Sequence, residues 1–127
     1  MSNANEPNKC IAPIVEVESY LKEIRKIIYK NFDLVPRDKN LKDIARLGLD
    51  PVETIRSLTV QDYNRGPLKD DDLNRPTPLW EFIKDVDGVE VYMKIKIENR
   101  KSGLCVVCIS IHESLGPKTL PYKGSVN

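Results

Sequence analysis

Cysteine is scarce in this chain, with three residues among 127, an odd number that does not form a closed disulfide framework. No long apolar run is present either. The longest extends from Leu104 to Ile109, far short of the roughly 20 residues that a membrane-spanning helix needs. No charged-then-apolar leader opens the sequence, so the expected location is the cytoplasm. Neither sign of charge dominates, since 20 Lys and Arg stand against 19 Asp and Glu for a formal net charge of +1. Bulk electrostatics would not draw such a protein to a polyanion, and any contact with RNA or DNA must come from a local patch. A phosphate-cradling glycine loop, a Gly-x-Ser-x-Gly elbow and internal repeats are all missing. What is there, 40% hydrophobic and 31% charged residues, is the composition of one folded domain rather than of a disordered chain.

Helical patterns come first and strand patterns second. Residues 1–13 are polar, hold two prolines and lack a period, which describes a flexible N-terminal tail. Ile14, Val17, Leu21, Ile24 and Ile28 then recur near the 3.6-residue period and predict an amphipathic helix to about Lys30. Its wet side carries Lys22, Lys26 and Lys30, with Arg25 beside them. Two short helices follow. Leu41, Ile44, Ala45 and Leu47 form a stripe that stops at Gly48. Asp50-Pro51-Val52-Glu53 has the form of a capped helix start running to about Leu58, with Glu53 placed to reach back to the cap amide.

Asp62 to Pro67 reads as a short strand ending at the Gly-Pro, Leu68 to Pro78 as a loop, and Leu79 to Lys84 as a strand. Asp87-Gly88 is a hairpin signal. Beyond it Val89, Val91, Met93, Ile95 and Ile97 alternate with Glu90, Tyr92, Lys94, Lys96 and Glu98, the pattern of a half-buried strand. A turn over Asn99 to Gly103 leads into a last strand, Leu104 to His112, and residues 114–127 form a tail that wraps the surface. The expected fold is α+β, a single domain over residues 14–113. Its N-terminal helices pack on a small antiparallel sheet of three to four strands whose other face is partly open.

Chemistry concentrates on that open face. Tyr92, Lys94 and Lys96 project from one side of their strand. Lysines so placed either keep a strand soluble or grip a phosphate backbone, with Tyr92 available to stack or donate. In the last strand Cys105, Val107, Ile109 and Ile111 share the apolar parity expected to face the core. Cys108, Ser110 and His112, the one histidine of the chain, then face the side of Tyr92 and Lys94. A histidine there works as acid or base near neutral pH, or is simply the end of a strand. Cys105 and Cys108 spell Cys-x-x-Cys but point to opposite faces of a strand with no second ligand pair nearby, so core packing is expected rather than a metal site. Asp70, Asp71 and Asp72 lack EF-hand spacing and read as a solvated acidic loop. The short helix from Pro51 to Leu58 offers Arg56 as its one basic group, too few donors for the recognition helix of a helix-turn-helix. No cofactor or metal is expected.

The segment from Leu58 to Glu113, a little under half of the 127 residues, resembles the MqsR-like toxins of bacterial type II toxin–antitoxin pairs. The likeness lies in Leu58-Thr59-Val60-Gln61-Asp62-Tyr63-Asn64-Arg65, Leu79-Trp80-Glu81-Phe82, Gly88-Val89-Glu90-Val91-Tyr92-Met93-Lys94-Ile95 and Cys108-Ile109-Ser110-Ile111-His112-Glu113, in that order and spacing. The resemblance implies a RelE-like fold and a metal-independent endoribonuclease, an mRNA interferase. In such an enzyme the RNA's own 2′-hydroxyl attacks the neighbouring phosphate. It also implies mRNA as substrate and a cognate antitoxin that masks the active face, and leaves open whether cutting needs the ribosome. The family's functional positions fall on Arg65, Glu81, Tyr92 and His112. Tyr92 matches the family pattern, which has Lys in place of Arg65, Gln in place of Glu81 and Lys in place of His112. By this resemblance Glu81 and His112 divide the roles of base and acid, Arg65 and Lys94 stabilise the charged phosphorane, and Tyr92 orients or donates. Lys94, Lys96 and Tyr63 are the expected substrate contacts. Two other readings stand beside it. One is a non-catalytic module that grips RNA or a protein partner, and the other is a helix-turn-helix regulator of duplex DNA.

Overall fold

The computed structural model describes residues 10–70 and 77–125. Along the chain run α1 (Ile14–Ile27), β1 (Phe32–Leu34), α2 (Asp38–Leu47), α3 (Pro51–Arg56), a 3-10 turn (Val60–Asp62), β2 (Tyr63–Leu68), β3 (Leu79–Val86), β4 (Val89–Arg100) and β5 (Gly103–Glu113). The five strands form one sheet in the order β1-β5-β4-β3-β2. Neighbours are antiparallel, except that β1 runs parallel to β5. The fold is therefore α+β, but the sheet is mixed and five-stranded rather than antiparallel with three or four strands. Three residues are too few to show alternation. β1 is defined instead by the pairing of Phe32, Asp33 and Leu34 with Val106, Val107 and Cys108. Among the described residues no helix is long and apolar enough to cross a membrane.

Alternation makes one face of the sheet the core. Trp80, Phe82, Val91, Met93, Ile95, Val106, Cys108 and Ile111 pack there against Val17, Leu21, Ile24 and Ile28, with Ile55 and Leu58 beside them. The period of α1 thus identifies its buried stripe; the helix ends at Ile27, and the turn extends to Lys30. α3 starts as its sequence predicts, with Pro51 in the first turn and the Asp50 side chain accepting from the Glu53 N–H at 3.2 Å. Glu53 does not close the capping box, because its carboxylate accepts from the Tyr29 hydroxyl at 2.5 Å and from Arg56 Nε at 3.1 Å.

Of the stripe expected on α2, Ile44 and Leu47 pack against the core. Leu41 and Ala45 are exposed, and the helix turns Asn40 and Asp43 toward the edge of β5. Asn40, 1% exposed, accepts from the Ile111 N–H at 2.9 Å and donates to the Ile109 carbonyl at 2.9 Å. Asp43 accepts from the Glu113 N–H at 2.8 Å. Beyond the end of β1 these side chains take the place of a neighbouring strand and satisfy backbone groups that would otherwise lie at an unpaired edge.

β2 continues through Gly66-Pro67 to Leu68 instead of stopping there. It is an outermost strand, where the missing N–H of a proline breaks no ladder. At Gly66 φ is +134°, and a Cβ would stand 2.9 Å from the Leu79 carbonyl oxygen and from Trp80 Cα, so a side chain has no room. At the β3–β4 turn, Asp87 and Gly88 hold φ of 53° and 88°, the double positive value that a two-residue hairpin requires.

β5 carries a bulge. Lys94 pairs with Ser110, yet the next residue, Ile95, pairs with Cys108, so Ile109 is extra. The bulge reverses the alternation. Ile111 faces the core and Ser110 and His112 face away, as expected. Before the bulge, however, Val106 and Cys108 join the core while Cys105 and Val107 lie on the second face, opposite to their expected parity. Residues 10–13 also differ from a loose tail. Ile11 bridges to Gly66, and the N–H of the buried Ala12 donates to the Tyr63 hydroxyl at 2.8 Å.

Candidate functional site

The second face of the sheet carries two cross-strand rows of side chains. Arg65 of β2 pairs with Glu81 of β3, Glu81 with Lys94 of β4, and Lys94 with Ser110 of β5. One step along, Ile83, Tyr92 and His112 stand in register. Directly opposed residues of antiparallel strands have Cβ atoms about 5 Å apart on the same face. Register therefore brings Arg65, Glu81, Tyr92 and His112 together, with Lys94 beside them.

Glu81 is the centre of the group. It is 5% exposed, and a carboxylate withdrawn from water is costly unless charge and hydrogen bonds compensate it. Its Oε1 accepts from Arg65 Nε at 2.7 Å and its Oε2 from the Tyr92 hydroxyl at 2.6 Å. Hydrogen bonds to a charged group contribute about 1.5–3 kcal/mol each, so both oxygens are firmly engaged. The Arg65 side chain is 45% exposed, and among the described residues its terminal amines make no hydrogen bond. The guanidinium is thus held by one edge and turns its fork to solvent, the shape that accepts a phosphate. The Glu81 bond raises the Arg65 pKa further above its ordinary value and keeps it charged. Burial, followed by the Glu81 bond and charge, holds Tyr92 well above the ordinary phenol value, which makes it a hydrogen-bond donor rather than a base.

The His112 ring packs beside Tyr92, with centroids 5.2 Å apart and planes tilted by 37°. Its Nδ1 lies 2.9 Å from the Glu113 carbonyl oxygen. A carbonyl only accepts, so this contact assigns the proton to Nδ1 and leaves Nε2 as the basic nitrogen of the neutral ring.

Two further cations reach this face from irregular segments, where no periodicity could single them out. Arg37, between β1 and α2, donates from Nη1 to Ser110 Oγ at 3.0 Å. Lys118, after β5, places Nζ 5.7 Å from the centroid of the Tyr92 ring. Tertiary packing alone sets both positions.

Two expected substrate contacts lie elsewhere. Tyr63 has the same parity as Arg65, but a register shift between them pairs it with Phe82, and it is fully buried in the core, packed on Trp80, Phe82 and Tyr122. Its hydroxyl accepts from Ala12 and donates to the carbonyl of Gly66 or Cys10. Lys96 shares the face of Tyr92 and Lys94 but is 3% exposed, with Nζ 2.7 Å from Asp70 and 2.9 Å from Glu98. Burial alone would lower its pKa, but the two carboxylates outweigh that and raise it. An ammonium so enclosed cannot meet a polyanion. By the same bond Asp70 is an ion-pair partner rather than part of a solvated loop, and Asp71 and Asp72 lie outside the described residues.

Cys105 and Cys108 are free thiols, buried on opposite faces. Burial pushes the Cys108 thiol up to about 12 and raises that of Cys105. A thiol reagent at about pH 8 is therefore expected to modify Cys10 alone in the folded protein and Cys105 and Cys108 only after unfolding, as read by mass spectrometry of the labelled peptides. Among the described residues no group of three or more His, Cys, Asp or Glu side chains is placed to hold a metal ion. α3 buries Ile55 in the core and ties Arg56 to Glu53 at 3.1 Å, so it is part of the scaffold. Compared with known proteins, the chain gives no significant match to any family model, curated protein or solved structure.

Proposed function

We propose that the chain is a metal-independent endoribonuclease, an MqsR-like mRNA interferase toxin with a RelE-like arrangement, acting in the cytoplasm. The observation that supports this reading is the Arg65–Glu81–Tyr92 triad beside His112. A buried carboxylate there holds a guanidinium fork and a phenol donor next to a titratable ring. Stability does not call for it, because well-packed apolar residues in such a place are as stabilising or more so.

A phosphodiester seated on Arg65 and Lys94 has its growing negative charge met by two preorganised cations, the kind of term that contributes most to catalysis. His112 Nε2 takes the proton of the 2′-hydroxyl, the 2′-oxygen bonds to phosphorus, and the bond from phosphorus to the 5′-oxygen breaks. Lys94, an ammonium without an ion pair among the described residues, gives that oxygen its proton. Tyr92, whose single O–H is given to Glu81, orients the cluster and packs against His112. The products are a 2′,3′-cyclic phosphate and a 5′-hydroxyl. Glu81 transfers no proton in this scheme, since both its oxygens are occupied, and acts as a positioning residue.

The reading carries mRNA as substrate, a cognate antitoxin that covers this face, and the ribosome as the setting if cutting requires translation. The engagement of Glu81 also favours a second reading, a binding module with the same cations and too few free acid–base groups for chemistry. Salt-dependent retention of RNA without cutting separates that module from an enzyme. For the enzyme, replacing the 2′-hydroxyl by hydrogen at one mapped cleavage position is expected to silence that position and spare the others. Cutting that persists at the deoxy position rules out attack by the 2′-oxygen.

A further inference from the structure

The residues after β5 lie outside the stretch that resembles the toxins, and they cross the candidate site. The Ser114 N–H still donates to the Glu90 carbonyl of β4 at 2.8 Å. Five positions later the Thr119 carbonyl accepts from Asn64 Nδ2 of β2 at 2.6 Å. Between these anchors the chain passes from β4 across β3 to the outer strand β2, and Lys118 lies over the Tyr92 ring on the way.

Downstream the segment is locked to the core. Tyr122 stacks on Tyr63 with centroids 5.8 Å apart, and its hydroxyl donates to the Ala12 carbonyl at 2.6 Å. Gln61 Nε2 donates to the Ser125 carbonyl at 2.9 Å. Asn64 itself is buried, so the pin beside Lys118 is withdrawn from water. Pro117 and Pro121 stiffen the crossing. The strap thus fixes one exposed lysine over the site, and among the described residues that lysine has no carboxylate partner.

Glu81 is already satisfied by Arg65 and Tyr92, so the charge of Lys118 is left for something brought from solvent. The rows of Lys94 and Tyr92 are two residues apart along β4, about 7 Å at the rise of a strand and the scale of one nucleotide step. We infer that the strap belongs to the RNA-binding surface, with Lys118 contacting the phosphate next to the one that is cut. The substrate is then a single-stranded chain with a phosphate on each side of the reacting nucleotide. This rests on the ribonuclease reading above.

The test compares Lys118→Ala with Lys123→Ala, which removes an exposed lysine of the same segment that makes no contact with Tyr92. Binding of a single-stranded RNA is measured in a His112→Ala background and cutting in the otherwise intact chain. Lys118→Ala is expected to weaken binding about fivefold at low salt and to reduce the slope of log affinity against log salt by about 0.7. It should raise KM and leave kcat within about twofold, the pattern of a lost binding contact. Lys123→Ala should move none of these. If the two variants behave alike, the strap has no such role and the ribonuclease reading stands without it. If the unaltered chain neither retains nor cuts RNA, both fall.

Discussion

Replacing His112 by alanine is expected to lower the rate of RNA cutting by about 10²–10⁴-fold, the range that a positioned acid–base group contributes. The ring is well placed for a clean experiment. It is half-buried at the end of β5, packs on Tyr92 on one side, and among the described residues bonds only the carbonyl of its own neighbour. Its loss leaves no buried polar atom stranded and opens no enclosed cavity, so the melting temperature should hardly move. RNA affinity should persist as well, because the phosphate contacts lie on Arg65 and Lys94. A fall in kcat with KM and stability preserved is the signature of a group that acts in the transition state. A variant that cuts within about twofold of the parent would remove His112 from the chemistry, and the binding module would become the better reading.

Lys96→Ala is expected to destabilise the fold by about 3–5 kcal/mol, the usual result of removing one partner from a buried ion pair. Against a typical domain stability of about 5–15 kcal/mol this is a large fraction. The ammonium bonds Asp70 and Glu98, and Arg100 extends the network to Asp33 at 3.0 Å. Removing the lysine leaves the buried carboxylates with less counter-charge. The sign of the pH dependence follows from the raised pKa of Lys96. Its contribution is complete at neutral pH, below the ordinary lysine value, and is lost as pH rises through the higher folded value. In Lys96→Ala that alkaline loss should therefore disappear. Urea denaturation across pH measures both effects. A cost below about 1 kcal/mol would show that water reaches the network. Folded Lys96→Ala protein should also bind RNA with an unchanged salt slope, since this lysine meets no substrate.

The contrast between Lys94 and Lys96 shows how far the sequence can be read. Alternation assigns both to one face of β4, and both are on it. Alternation does not say what covers a face, and Asp70 belongs to a segment far along the chain. Likewise the 3.6-residue period located α1, and the Asp50-Pro51 start located α3, because those signals are local. β1 and the capping of the β5 edge by Asn40 and Asp43 of α2 were not legible, since both answer to the edge of β5 rather than to their own residues. One extra residue at Ile109 was enough to exchange the faces of Cys105 and Cys108, whereas the parity of Ser110 and His112, beyond the bulge, held. Arg65 and Glu81 were singled out only through the toxin resemblance. Their meeting with Tyr92 is a matter of strand register, which no single strand contains. Arg37 and Lys118 arrive from irregular segments and leave no trace in any pattern.

The most direct measurement incubates the purified chain, in EDTA, with a structured messenger RNA and with its DNA copy, and identifies the ends of any products. Cutting of the RNA alone, leaving 2′,3′-cyclic phosphate and 5′-hydroxyl ends, is the result that the Arg65–Glu81–Tyr92–His112 cluster predicts. RNA that stays intact both free and on translating ribosomes, or DNA cut equally well, would contradict it.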